Sequence, residues 1–327
     1  MNQTKKQRGK LGEFCYLVVK GYTMIFVLIA IFLLMSLVSD LFLTTDNIMN
    51  LFRQSAVIGI ISIGAGIVVI GGTFDMSVGS LCTLTGCACL MLQPRIGVIP
   101  AILVCLLIGV TVGFINGITI TAIKGNSGDS FMITFGMQTV LQAITLVLTG
   151  GYPLDGSTSA FYNFFGKGMI SGFFPISVLV FFVLTAIAAV LMQKTVFGKR
   201  VYYMGAGLEA ARLAGVKVNR QRIVSYMISG FCSAAAAIVL TGRINGATAK
   251  MGHGYEFDAM TAIVVGGISL SGGKGNMINM IIGVFIMGAI GNGLNILGIQ
   301  AEQQYIVRGL VLIVAVLVDI LRGRKIK

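Results

Sequence analysis

The chain has 327 residues, of which 56% are hydrophobic and only 11% charged, with a mean hydropathy of +0.93. Soluble domains carry roughly 25% charged residues, so an ordinary soluble domain is excluded; ten bilayer helices of about 20 residues each would leave little material for an ATP-hydrolysing domain. Lys and Arg outnumber Asp and Glu by 24 to 11, yet these cations collect in short polar stretches between apolar runs, which is a positive-inside pattern and not a nucleic-acid-binding surface.

Residues 1–21 are basic and run into a full-length apolar stretch without a small-residue cleavage site, which reads as a cytoplasmic N-terminal tail ahead of an anchor helix. Apolar spans follow at 22–39, 55–72, 77–93, 97–123, 131–149, 173–193, 223–242, 258–271, 277–297 and 305–321, so residues 22–321 form the transmembrane domain and 322–327 a C-terminal tail. The expected fold class is an all-α integral membrane protein with about ten transmembrane helices. With the N-terminus inside, 18 of the 24 cations fall in inner segments, which puts both termini in the cytoplasm. Arg53, Arg95, Lys167, Arg243 and Lys250 are left in outer loops, and Arg308, just inside the last span, is expected to snorkel to the outer interface. Asp319 is expected at the inner membrane surface, close to Arg322.

Two loops exceed the usual length. The outer one, 150–172, is rich in Gly and small polar residues and offers a surface that something can meet from outside. The inner one, 194–222, is the most basic part of the chain; within it Leu208, Ala211, Arg212, Leu213 and Gly215 read as a short helix with an Ala-rich face, and a plain retention loop is the alternative.

The sequence partly repeats itself. Ile108-Gly109-Val110, Gly113 and Asn116-Gly117 return as Ile282-Gly283-Val284, Gly288 and Asn292-Gly293, in spans of opposite direction, which is an inverted-repeat similarity. Gly109, Gly113 and Gly117 share one helix face and predict close packing of backbones. Two segments, Gly71 to Gly79 and Gly266 to Asn276, interrupt apolar runs with glycines and hydroxyls, as broken helices do. Asp75 is the acidic residue of the first break, and is either the N-cap of the helix starting near Ser77 or a polar group lining a pathway.

Enzymatic signatures are incomplete. Ser271-Gly272-Gly273-Lys274-Gly275 lacks the leading Gly, where Ile268 stands, and the Ser or Thr after Lys that would hold magnesium. One histidine, His253, supports no usual triad, and Cys15, Cys82, Cys87, Cys89, Cys105 and Cys232 sit nearly all in apolar runs without metal-site spacing. Neither catalysis nor a cofactor or metal is expected of this chain.

Gly72-Thr73-Phe74-Asp75-Met76-Ser77-Val78-Gly79-Ser80 resembles the Gly-Gly-Ile-Asp-Leu-Ser-Val-Gly-Ser motif of ribose-type ABC importer permeases. Gly207-Leu208-Glu209-Ala210-Ala211 through Asn219, Gly254 to Ala259, Leu270 to Gly275, Asn292-Gly293-Leu294-Asn295 and Val316 to Asp319 resemble further signatures of that family in the same order, over about 43–319. The resemblance implies a permease subunit of a bacterial cytoplasmic membrane that pairs with a second copy or a homologous permease. It would receive a monosaccharide, ribose or a similar sugar, from an extracytoplasmic sugar-binding protein, and be driven by a separate cytoplasmic ABC ATPase that binds the ATP. It implies ATPase coupling through Gly205, Glu209, Ala210, Ala211 and Gly215, and makes Gly72, Asp75, Ser77, Asn116, Asn292 and Asn295 pathway or gate candidates. Thr73-Phe74 and the segment 125–130 depart from the family pattern, which leaves the cargo open. A stand-alone ion-coupled transporter or channel for a small polar solute is the rival reading, against which stands the scarcity of ionisable groups deep in the spans.

Overall fold

The computed structural model describes residues 10–172 and 174–324; the basic segment 1–9 and the end 325–327 lie outside them. In chain order the helices are α1 (Lys10–Val38), α2 (Thr45–Ile70), α3 (Val78–Ile96), α4 (Val98–Ala122), α5 (Ser127–Thr149), α6 (Ala160–Lys167), α7 (Ile176–Lys194), α8 (Val196–Ala206), α9 (Leu208–Leu213), α10 (Val218–Ile244), α11 (Tyr255–Val265), α12 (Met277–Ile296) and α13 (Ala301–Arg324). Two ladders of two residues per strand, Leu154–Asp155 with Gly246–Ala247 and Met169–Ile170 with Phe174–Pro175, dress the segment before α7. Local chemistry sets several boundaries. Asn126 and Asp129 form a capping box at the start of α5, Gly150 ends it in the left-handed region, and Pro175 precedes the first residue of α7.

Among the described residues, seven helices are long and apolar enough to cross a membrane: α2, α4, α5, α7, α10, α12 and 302–321 of α13. Of the remaining three expected spans, one lies in the 29-residue helix α1 and the other two differ in kind. The stretch 22–39 corresponds to the apolar Met24–Val38 part of α1, and 77–93 to α3, whose Thr, Gly and Ser content makes it less apolar. The eighth, 258–271, is helical only as far as Val265; eleven residues at 1.5 Å each give α11 about 16 Å, half of a hydrocarbon core of about 30 Å.

The packing is inverted relative to a soluble protein at its periphery. Helix α2 runs through the centre and is buried continuously from Ser55 to Ile70, with α7, α10, α11 and α12 against it. By contrast α4, α5 and α13 turn Leu103, Leu107, Met132, Val147, Ile306 and Leu310 outward, an apolar periphery that suits lipid as solvent. The small-residue face of α4 meets α10 as predicted, with Gly109 against Gly230, Gly113 against Tyr226 and Gly117 against Ile223.

Candidate functional site

Where α2 stops, residues 71–77 cross the protein interior without a helix to satisfy their backbone, so side chains must do it. Ser130 and Thr134 of α5 accept the N–H groups of Phe74 and Met76, each at 3.0 Å, and the Tyr226 hydroxyl of α10 donates to the Phe74 carbonyl at 2.7 Å. Asp75 Oδ1 accepts from the Ser77 N–H at 3.1 Å and the Ser77 hydroxyl at 2.6 Å, while its Oδ2 accepts from Ser229 Oγ of α10 at 2.7 Å. Asn116 of α4 donates to Ser77 Oγ at 3.0 Å. Asp75, Ser77, Asn116 and Ser229 are all buried. The carboxylate thus shapes the turn into α3 and also ties that turn to α10.

The second break, 266–276, lies against the first. Gly273 N–H donates to the Ile70 carbonyl at 2.8 Å, where α2 ends, and Gly272 packs on Gly72. Asp319, expected merely at an interface, accepts from Leu270 N–H at 3.1 Å and Ser269 Oγ at 3.2 Å and so anchors this turn. Tyr202 of α8 donates to the Gly275 carbonyl at 2.8 Å, and burial pushes its phenol up from the ordinary value. Gly205 sits in the seam between the two breaks. A Cβ there would overlap the Ile70 carbonyl oxygen and the Gly273 nitrogen, both backbone atoms, so no larger residue fits without moving them.

Beyond Gly207 the chain forms α9. Ala211 packs beneath it against Met204 and Val218, whereas Glu209, Ala210 and Gly215 face outward, and Glu209 pairs with Arg212 at 3.1 Å on the surface. Leu213 is 90% exposed, an apolar side chain standing free at the end of the helix. Gly215, at φ +76°, makes the turn that leads to α10.

The site residues named from sequence therefore fall into three places. Asp75, Ser77 and Asn116 share one network, and Gly72 meets the Gly205 seam. Asn292 and Asn295 lie elsewhere, at the other end of α12: Asn292 exchanges hydrogen bonds of 2.8 and 2.9 Å with Asn47, and Asn295 accepts from Gln304 at 2.8 Å. Arg308 does not snorkel. It turns inward to Asp258 at 2.6 Å, because the first turn of the short α11 buries a carboxylate that needs a cation. Sequence reasoning missed Ser130, Thr134, Tyr226 and Ser229; the available signal was hydroxyl residues four apart inside apolar helices, at 130 and 134 and at 225, 229 and 233.

Residues 47–316 match the family described as branched-chain amino acid transport system / permease component. Curated relatives include the ribose import permease protein RbsC of Bacillus subtilis, 37% identical over 88% of both chains, and that of Haemophilus influenzae, 36% identical over 94% of both. The galactose/methyl galactoside import permease protein MglC of Escherichia coli is 35% identical over 92% of this chain and 93% of its own. No solved structure matches.

Proposed function

This chain belongs to the transport-system permease family that includes the ribose import permeases, and from that premise we propose that it carries a monosaccharide, ribose or a similar sugar, across a bacterial cytoplasmic membrane. It is a multi-pass membrane protein and a permease subunit, not a catalyst. On this reading a separate cytoplasmic ABC ATPase binds and hydrolyses the ATP. An extracytoplasmic sugar-binding protein delivers cargo to the face that carries 150–172, and a second permease, identical or homologous, completes the pathway. The segment 194–222 and both termini, 1–21 and 322–327, then lie on the cytoplasmic side.

The observation that supports the mechanism most directly is the packing of Gly205 between Ile70 and Gly273. ATPase closure would push on Glu209, Ala210 and Gly215 around α9. The buried Ala211 makes that push a movement of α8 as well, and the Gly205 seam passes it to both breaks together as a rigid-body shift. Gly72, Asp75, Ser77 and Asn116 would then form the moving wall of the gate, with Asn292 and Asn295 at the far end of α12. The relation of α4 and α5 to α12 and α13, with α1, α3 and α11 completing a ten-segment inverted repeat, would let one set of contacts serve two opposed states.

The test is uptake of radiolabelled ribose by proteoliposomes that hold this chain, its neighbouring ATPase and its binding protein. Uptake that requires ATP and all three proteins is the expected result. Uptake by this chain alone, driven by an ion gradient, would overturn the reading.

A further inference from the structure

Three cations that are far apart in sequence converge on one cavity. Arg53 near the start of α2, Lys167 at the end of α6 and Arg243 at the end of α10 line a hollow of about 440 Å³ together with Asn50 and Gln54, on the face opposite α8 and α9. The convergence is built by backbone packing: Gly166 lies directly against Gly242 and Arg243, which sets Lys167 beside the Arg243 side of the hollow. Among the described residues no carboxylate lines the cavity, neither salt bridge involves any of the three cations, and the buried Arg53 Nε has no hydrogen-bond partner.

That arrangement needs a counter-charge. Like charges gathered in a concave, partly dehydrated hollow repel each other, and a buried guanidinium N–H without an acceptor has lost its water and gained nothing in return. A second basic cavity, lined by Arg200, Lys217 and Arg220, requires no such explanation, since it lies beside α9 in the inner segment where positive-inside bias collects cations. The first cavity runs against that bias. It gathers three of the five cations assigned to outer loops, with two amide side chains as additional donors.

We infer that Arg53, Lys167 and Arg243, with Asn50 and Gln54, form a binding site for a single oxyanion, a phosphate-type group held by the guanidinium forks and the ammonium. Guanidinium groups match such oxygens in pairs, and the lysine adds a point charge. The group arrives either as a dissolved anion or as the headgroup of an anionic lipid. The site stands apart from the Asp75 network and from the Gly205 seam, and the inference holds whichever cargo the chain transports.

The experiment follows thermal unfolding of the purified full chain in a phosphate-free glycoside detergent, as inorganic phosphate replaces chloride at constant ionic strength. The expected result is a saturable rise in the midpoint whose apparent affinity falls about tenfold in Arg53→Gln and in Arg243→Gln, the factor that one lost charge-assisted hydrogen bond carries. Arg220→Gln, in the other basic cavity, keeps the full rise. Lys167→Gln, at an exposed position, weakens the response in the same direction and serves if the arginine variants fail to fold. A rise with phosphatidylglycerol but not with phosphate, lost in the same variants, supports the site and assigns the lipid as its source. No rise with either ligand, or a rise that survives in Arg53→Gln, Lys167→Gln and Arg243→Gln alike, overturns it.

Discussion

Ser229 Oγ on α10 donates to Asp75 Oδ2 at 2.7 Å, across the gap where α2 has ended and α3 has not begun. This one contact binds a helix-free segment to a long membrane span, and it makes Asp75 an internal anchor as well as a turn former. Removing the carboxylate strands the Ser77 N–H, the Ser77 hydroxyl and the Ser229 hydroxyl together.

Asp75→Ala is therefore expected to destabilise the chain by about 1–3 kcal/mol for each stranded buried donor that finds no substitute. Ser229→Ala, which frees only one carboxylate oxygen, has a smaller effect, and Asp75→Asn, which retains a carbonyl acceptor, falls between. Thermal unfolding in detergent checks the order. Unchanged midpoints with an altered KM for uptake would mean that Asp75 meets the solute instead of holding the break.

The Asp258–Arg308 pair makes a second prediction. Asp258 is 3% and Arg308 18% exposed at the side chain, so Arg308→Met leaves a buried carboxylate unpaired, at about 3–5 kcal/mol. Adding Asp258→Asn should recover much of the lost midpoint, since it removes the stranded charge. Equal midpoints for the single and double variants would show that the pair carries no such coupling.

Leu213 is the surface test of the α9 reading. Its side chain touches little within the chain, so Leu213→Glu should leave the thermal midpoint of the isolated permease unchanged while weakening its hold on the ATPase about tenfold, as loss of an apolar anchor does. Co-purification of the ATPase with graded amounts of permease reads the difference. Full retention of the ATPase would place its contact elsewhere on the chain.

The broad architecture was legible because lipid-facing spans are written as long apolar runs, and the glycine face of α4 packs where its spacing implied. Both breaks were legible as glycine and hydroxyl clusters. Their junction was not: Gly72, Gly205 and Gly273 are separated by more than a hundred residues in part, and a backbone contact without side chains leaves no periodic mark. Arg308 was misread for a related reason. A lone cation near a span end looks like an interfacial group until the fold supplies its partner, and Asp258 stands fifty residues away. The α11 segment was too long as read because Gly266 and Gly267 continue an apolar run that the backbone leaves at Val265.

Coupling requires that movement of α8 and α9 reach both breaks through Gly205. ATP hydrolysis and ribose uptake measured on the same proteoliposomes, for the wild type, Gly205→Ala and Gly207→Ala, test this most directly. A Cβ at Gly207 meets only the Ala210 side chain, at an ordinary 3.7 Å, so that variant should transport normally. Gly205→Ala, in complexes of equal amount, is expected to keep hydrolysing ATP while uptake falls by about tenfold or more, the consequence of wedging the seam by even 1–2 kcal/mol. Uptake and hydrolysis in Gly205→Ala both equal to wild type would contradict it.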